Sequence, residues 1–166
     1  ATTWQTHRDF LKADFVSEES LKRQLQDVFP KISCIVKIGM IGSFKNLKIL
    51  FDFFSKREDF IILDPILFST TGGELLEKEG ILFLKKYFFP LVGILTPNLV
   101  ELKILLDGGT NPLDLGVENV LLKGGHAESK DDFIYDYFYS QKEQFCISSK
   151  KIIRDYSTRG TGCALA

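Results

Sequence analysis

The chemistry in this sequence concentrates at Gly160-Thr161-Gly162-Cys163, where a Gly-Thr-Gly turn delivers a thiol and small apolar residues suited to a helix start follow. Glycines let the backbone bend until successive N–H groups converge on one point. A helix beginning there adds the positive end of its dipole. Such a cradle holds a phosphate or a developing anion, and a thiol at its rim ionises more readily than a free cysteine. A short glycine motif is also compatible with a plain strand-to-helix turn over a buried thiol, so the surrounding elements must decide between the two.

Those elements alternate. Short apolar runs at 32–38, 60–63, 91–95 and 120–123 predict strands, each nearly continuous, as in strands covered on both faces. Helical spacing lies between them at 17–29, 43–56, 73–88 and 98–106. The expected buried faces are Leu21, Leu25 and Val28; Leu47, Leu50 and Phe54; Leu75, Leu76, Leu82 and Phe83; and Leu99, Leu102, Leu105 and Leu106. Strands alternating with helices predict an α/β domain with a parallel sheet. Residues 132–148 alternate polar and apolar instead and break at Ser140-Gln141-Lys142-Glu143, which predicts an antiparallel hairpin at the far edge.

Composition narrows the function classes. The 166 residues suit one domain, and 45% hydrophobic with 13% aromatic content is enough for a packed core. A formal net charge of −1 gives no footprint for nucleic acid or a membrane surface. No apolar run reaches the roughly 18 residues that would span a bilayer. The polar, mixed start at 1–14 does not read as a cleavable signal. Cys34, Cys146 and Cys163 are odd in number and widely spaced, so they read as reduced thiols of a cytoplasmic protein. Cys34 and Cys146 fall within predicted strands and are expected to be inert core thiols.

Open parallel sheets bind ligands beyond the carboxyl ends of their strands. Here those ends are Lys37-Ile38-Gly39-Met40, Asp64-Pro65, Thr96-Pro97-Asn98 and Lys123-Gly124-Gly125-His126. Two lysines and turn amides suit phosphate, and a carboxylate suits Mg²⁺. Phosphoryl transfer is the chemistry this set supports, and the absence of a GxxxxGK[ST] motif makes it something other than a P-loop enzyme. Individually, Asn98 reads as a helix cap, Met40 as packing, Glu101 as a solvated helix charge, and His7 and His126 as surface or turn residues. Their mutual placement at strand ends favours the functional reading for Asp64, Asn98, Glu101, Lys123 and 160–163.

Five segments, in this order, resemble the ribokinase-like superfamily, and within it the hydroxymethylpyrimidine and phosphomethylpyrimidine kinases of thiamine biosynthesis. They are Val36-Lys37-Ile38-Gly39-Met40, Leu63-Asp64-Pro65-Ile66, Leu95-Thr96-Pro97-Asn98-Leu99-Val100-Glu101, Val120-Leu121-Leu122-Lys123-Gly124-Gly125-His126 and Thr158-Arg159-Gly160-Thr161-Gly162-Cys163. The resemblance implies a three-layer α/β/α sandwich with a mostly parallel central sheet and an antiparallel edge hairpin. It implies ATP and Mg²⁺ as cofactors and a hydroxymethylpyrimidine, or its phosphate, as small-molecule substrate. Gly160, Thr161 and Gly162 are then the anion hole, and Cys163 stands where the family has its catalytic base. Asn98 and Glu101 match an Asn-x-x-Glu pair that organises metal and phosphate. Asp64 lies near the metal, and Lys123 and Gly125 belong to the nucleotide phosphate region. Gln5 and Met40 contact the pyrimidine ring. Relatives are often homodimers, although no residue of this chain establishes an oligomeric state.

Departures from the family pattern are also visible. The single kinase domain, 1–166, lacks the family's first strand and Gly-rich loop, stops three residues past Cys163, and is short in a helix near 107–119. The intact motifs favour a longer enzyme of which these residues are part, over a non-catalytic remnant of the fold. Pyridoxal or pyridoxine kinase is the alternative activity, since it too acts on a hydroxymethyl group of a flat nitrogen ring; a cysteine at 163 favours the pyrimidine.

Overall fold

The computed structural model describes residues 2–5, 10–69, 72–124 and 132–151, with side chains from Asp14 onward. A six-stranded sheet runs in the order β3 (Ile35–Ile38), β4 (Phe60–Leu63), β5 (Val92–Leu95), β6 (Asn119–Leu122), β7 (Phe133–Ser140) and β8 (Gln144–Lys150). The β3–β6 block is parallel, and β7 and β8 add an antiparallel hairpin at its edge. That hairpin turns at Ser140–Glu143 as its polar break predicts, with Ser140 Oγ accepting from the Lys142 and Glu143 amides at 3.2 and 3.1 Å. A separate antiparallel ribbon pairs β1 (Thr2–Gln5) with β2 (Phe10–Asp14).

Local caps account for the helix starts. Ser17 Oγ accepts from the Ser20 amide at the head of α1 (Glu18–Val28), and Ser43 Oγ does so from Asn46 at the head of α2 (Phe44–Phe54). The helix expected over 73–88 begins only at Lys78. A tight loop precedes it, in which Ser69 N–H donates to Gly73 O, Ser69 Oγ accepts from Gly73 N–H, and Leu75 N–H donates to Leu67 O. Those bonds occupy backbone groups that a helix would need. Helix α3 (Lys78–Phe83) then widens into a π turn, Leu84–Phe88, and tightens into a 3₁₀ turn, Phe89–Leu91. Gly80, Leu84 and Phe88 form the buried face, with Phe89, and Leu82 falls on the opposite side at 66% exposure. Val28, the last residue of α1, is likewise 75% exposed rather than part of the core.

The core lies on one side of the sheet. Val36, Ile38, Ile61, Leu63, Leu95 and Val120 are buried with Leu47, Leu50 and Phe54 of α2, Leu84 and Phe88, and Leu102 and Leu105 of α4 (Leu99–Leu106). Sequential strand order with crossovers of one hand delivers every connecting helix to the same face. The continuous apolar runs predict cover on both faces, yet the residues of opposite parity, Ile35 and Phe60 among them, are exposed here, Ile35 at 74%. Cys146 is also exposed, because β8 lies beyond the helices that cover β3–β6; it is not the core thiol expected. Cys34 is half-buried, just ahead of β3, rather than in the core: its thiol donates to Asp59 Oδ1 at 3.4 Å, and partial burial, then Asp59, push its pKa up. Asp59 in turn pairs with Arg57, whose guanidinium also donates to the Pro30 and Ile32 carbonyls and so ties the chain before β3 to the start of β4. Among the described residues, no helix is long and apolar enough to cross a membrane.

Candidate functional site

The register Ile38–Leu63–Leu95–Val120 levels the carboxyl ends of β3, β4 and β5, and β6 runs two residues further, to Leu122, so the residues that follow these strands emerge along one rim. Backbone bonds stitch these tips together. Asp64 N–H donates to Ile38 O and Thr96 N–H to Leu63 O, both at 2.8 Å, and Lys123 N–H donates to Pro97 O at 2.9 Å. Asn98 and Lys123 form a parallel bridge just beyond β5 and β6. A rigid floor of hydrogen-bonded backbone therefore carries the polar side chains.

Across the tip of β5, Lys123 Nζ reaches Asp64 Oδ1 at 2.6 Å. The pair is buried, with side chains 10% and 1% exposed. Asp64 Oδ2 is buried with no hydrogen-bond partner among the described residues. Buried polar atoms are nearly always paired, so an orphaned carboxylate oxygen beside a buried ammonium marks a place where a ligand or cation is expected.

Asn98 and Glu101 are brought together as their spacing implies, in a capping box at the start of α4. Asn98 Oδ1 accepts from Glu101 N–H at 2.9 Å, and Glu101 Oε2 accepts from Asn98 N–H at 2.8 Å. Glu101 is buried, contrary to the solvated charge an isolated helix glutamate would be. Burial pushes its pKa above the ordinary carboxylate value; the Asn98 amide and the Lys123 charge oppose that, the Asp64 charge adds to it, and the Leu67 amide also opposes it. Its carboxylate is thus engaged by backbone amides from two segments and senses both members of the Lys123–Asp64 pair.

Met40 is half-buried in the β3–α2 loop, at the same end of the sheet. Lys37, in contrast, is exposed within β3, on the face away from the helices. Gln5 ends β1 in the separate ribbon, at a register irregularity after Trp4; its side chain is outside the described set. Gly125, His7, His126 and the turn Gly160-Thr161-Gly162-Cys163 also lie outside the described residues.

Sequence reading missed Asp136. It is the sole carboxylate in the aromatic run 133–139, and that isolation was the available signal. Its Oδ1 accepts from Gly124 N–H at 2.7 Å. Gly124 is pressed against β7 so closely that a Cβ there would fall 1.8 Å from Tyr135 O, which leaves room for glycine alone.

A family model described as phosphomethylpyrimidine kinase matches residues 1–166. A hydroxymethylpyrimidine/phosphomethylpyrimidine kinase of Aquifex aeolicus is 36% identical over 160 residues, covering 89% of this chain and 60% of the relative. One of Helicobacter pylori is 34% identical over 167 residues, covering 91% and 61%. The chain therefore spans about 60% of the length of these curated relatives. Among solved structures, phosphomethylpyrimidine kinase of Clostridium difficile 630 is similar at a TM-score of 0.70 and 25% identity, over 90% of this chain and 69% of that one. A pyridoxal kinase of Staphylococcus aureus in complex with AMP-PCP is similar at 0.79 and 20% identity, over 97% and 62%; that likeness is one of fold.

Proposed function

The chain belongs to the phosphomethylpyrimidine kinase family and has its ribokinase-like mostly parallel α/β fold, and on that premise we propose that the protein transfers the γ-phosphoryl group of ATP to 4-amino-5-hydroxymethyl-2-methylpyrimidine and to its monophosphate, in thiamine biosynthesis. The observation that carries this reading is the buried Lys123–Asp64 pair with its orphaned Asp64 Oδ2, set among stitched strand tips. A kinase of this type needs little covalent chemistry; it needs fixed positive charge around the moving phosphoryl group and a metal held against the phosphates.

The donor set fits a phosphate-bound cation. A buried, unpartnered carboxylate oxygen is a hard ligand of the kind Mg²⁺ takes, directly or through water. When bound, Mg²⁺ would neutralise phosphate oxygens that otherwise repel one another. Asp64 is the residue we assign to it. Glu101 we assign a second role: with its carboxylate on the Asn98 amide, it holds Asn98 at the mouth of α4 and adds negative potential near the metal rather than a free ligand oxygen. The Lys123 ammonium has further N–H bonds to offer a phosphate oxygen while Asp64 holds it in place.

The remaining roles rest on the resemblance. The Gly160, Thr161 and Gly162 amides would receive the charge that develops on the transferred group. Cys163, as thiolate, would take the proton of the attacking hydroxyl. Gly125 would extend the nucleotide phosphate contact of Lys123, and Gln5 and Met40 would bound the ring. Cys163→Ala should lower kcat far more than ATP affinity; equal losses in both would make Cys163 a binding residue only.

The testing experiment measures ADP release from MgATP with the hydroxymethylpyrimidine, with its monophosphate, and with pyridoxal, using the full-length protein. Turnover on both pyrimidines and little on pyridoxal is the expected result. Turnover confined to pyridoxal, or none from a folded protein, overturns the proposal.

A further inference from the structure

The backbone at Lys123–Gly124 is held from both sides. Toward β5, Lys123 N–H donates to Pro97 O at 2.9 Å and forms the bridge with Asn98. Toward β7, Gly124 N–H donates to Asp136 Oδ1 at 2.7 Å, while its Cα lies against the Tyr135 carbonyl. The last ladder partners before this point are Leu122 and Tyr137. The chain therefore leaves the β6–β7 ladder at Lys123, and a side chain rather than a backbone carbonyl receives the next amide.

We propose that Asp136 is a positioning residue for phosphoryl transfer: its carboxylate fixes the Lys123–Gly124 backbone, and thereby the Lys123 ammonium, at the strand tips. The proposal rests on the kinase reading for its consequence in catalysis, but not for its structural content. A carboxylate accepting from a backbone N–H makes a charge-assisted bond, stronger than the neutral pair it replaces. Lys123 directly precedes this anchored amide, so small rotations of its backbone displace a long side chain whose target, Asp64 Oδ1, is 2.6 Å away. Displacements of about 1 Å at a catalytic group cost on the order of 100-fold in rate.

The experiment compares Asp136→Ala, Asp136→Asn and, as a control for weakening of the hairpin, Ile147→Ala, whose position faces Asp136 across β7–β8. Two readouts are taken on the full-length protein: amide hydrogen exchange at Gly124, and kcat and KM for MgATP. Asp136→Ala should speed exchange at Gly124 by about tenfold or more while the Leu121–Phe138 ladder keeps its protection, and should lower kcat more than it raises KM. Asp136→Asn, which retains an acceptor oxygen, should restore most of both. The Ile147→Ala change should leave both close to wild type. Unchanged exchange at Gly124 in Asp136→Ala, or equal kinetic losses in Asp136→Ala and Ile147→Ala, overturns the proposal. Faster Gly124 exchange in a protein that turns over none of the three candidate substrates leaves the anchor standing and removes the kinase reading instead.

Discussion

Breaking the Lys123–Asp64 pair from its two ends should have unequal effects. At 2.6 Å the attraction is about 6 kcal/mol for an effective dielectric of about 20. Most of that is offset by the cost of taking two charges out of water, so the net worth of the intact pair is small. Removing one partner is different, because it leaves an uncompensated buried charge and costs about 3–5 kcal/mol. The Asp64 side chain is 1% exposed and its second oxygen has no partner among the described residues, whereas Lys123 is 10% exposed on a flexible stem that can carry its charge toward water. Lys123→Met should therefore fall at the upper end and Asp64→Asn at the lower. For a domain of this size each kcal/mol moves Tm by about 2–4 °C, so Lys123→Met should melt about 8–20 °C below wild type. The double variant leaves neither member of the pair as an unmatched buried charge and should recover most of the loss, with a coupling of about 2 kcal/mol or more. Urea unfolding of the four proteins at one pH measures this cycle. A loss under about 1 kcal/mol in Lys123→Met, or additivity in the double variant, would show that water already reaches the pair and that the site is not dry.

Glu101→Gln tests the other buried carboxylate. Burial raises the folded-state pKa of Glu101 above its ordinary 4.5, so its titration contributes stability that is present below 4.5 and lost as pH rises through the folded value. The stability of wild type relative to Glu101→Gln should then decline as pH rises through that window in urea unfolding series; a difference that is flat or grows with pH refutes the assignment. Gly124→Ala should be far more harmful to stability and turnover than Gly39→Ala, since a Cβ at 124 meets a backbone carbonyl at 1.8 Å and one at 39 meets only Ile66 Cδ1 at 3.8 Å. Equal tolerance at both positions in thermal melts would mean that β7 yields where the structure holds it fixed.

What was legible in the sequence is what local chemistry determines. Ser17, Ser43 and Asn98 cap the helices they were expected to open, because an N-cap needs only its own side chain and the amides of the next turn. The strand Phe60–Leu63 ends where Asp64-Pro65 denies it another ladder bond. The strand-end rule brought Asp64, Asn98, Glu101 and Lys123 to one rim. It could not say that Lys123 would choose Asp64, 59 residues away, over water or phosphate. Nor could it foresee that Glu101 would be buried. The errors share a cause as well. Leu82, Val28 and Cys146 follow good local patterns, but burial depends on where a helix begins and which face it turns to the sheet, on what its last turn packs against, and on whether anything lies over an edge strand.

The same bonds that make the site rigid make its parts inseparable. Asn98 is tied to Glu101 by the capping box and to Lys123 by a backbone bridge; Lys123 is tied to Asp64 by charge; Asp64 is tied through its amide to β3, and Gly124 through Asp136 to β7. This path joins β3 to β7 across the whole parallel block. A substitution anywhere along it acts on the fold and on the arrangement of charge together, so losses of activity there should track losses of stability, with residues off the path, such as Met40, free to alter substrate preference without them. That separation follows from the physics of a dry polar network: inside it each group relies on its neighbours for the solvation water would otherwise supply, and outside it a side chain can change without leaving a buried charge unpaired.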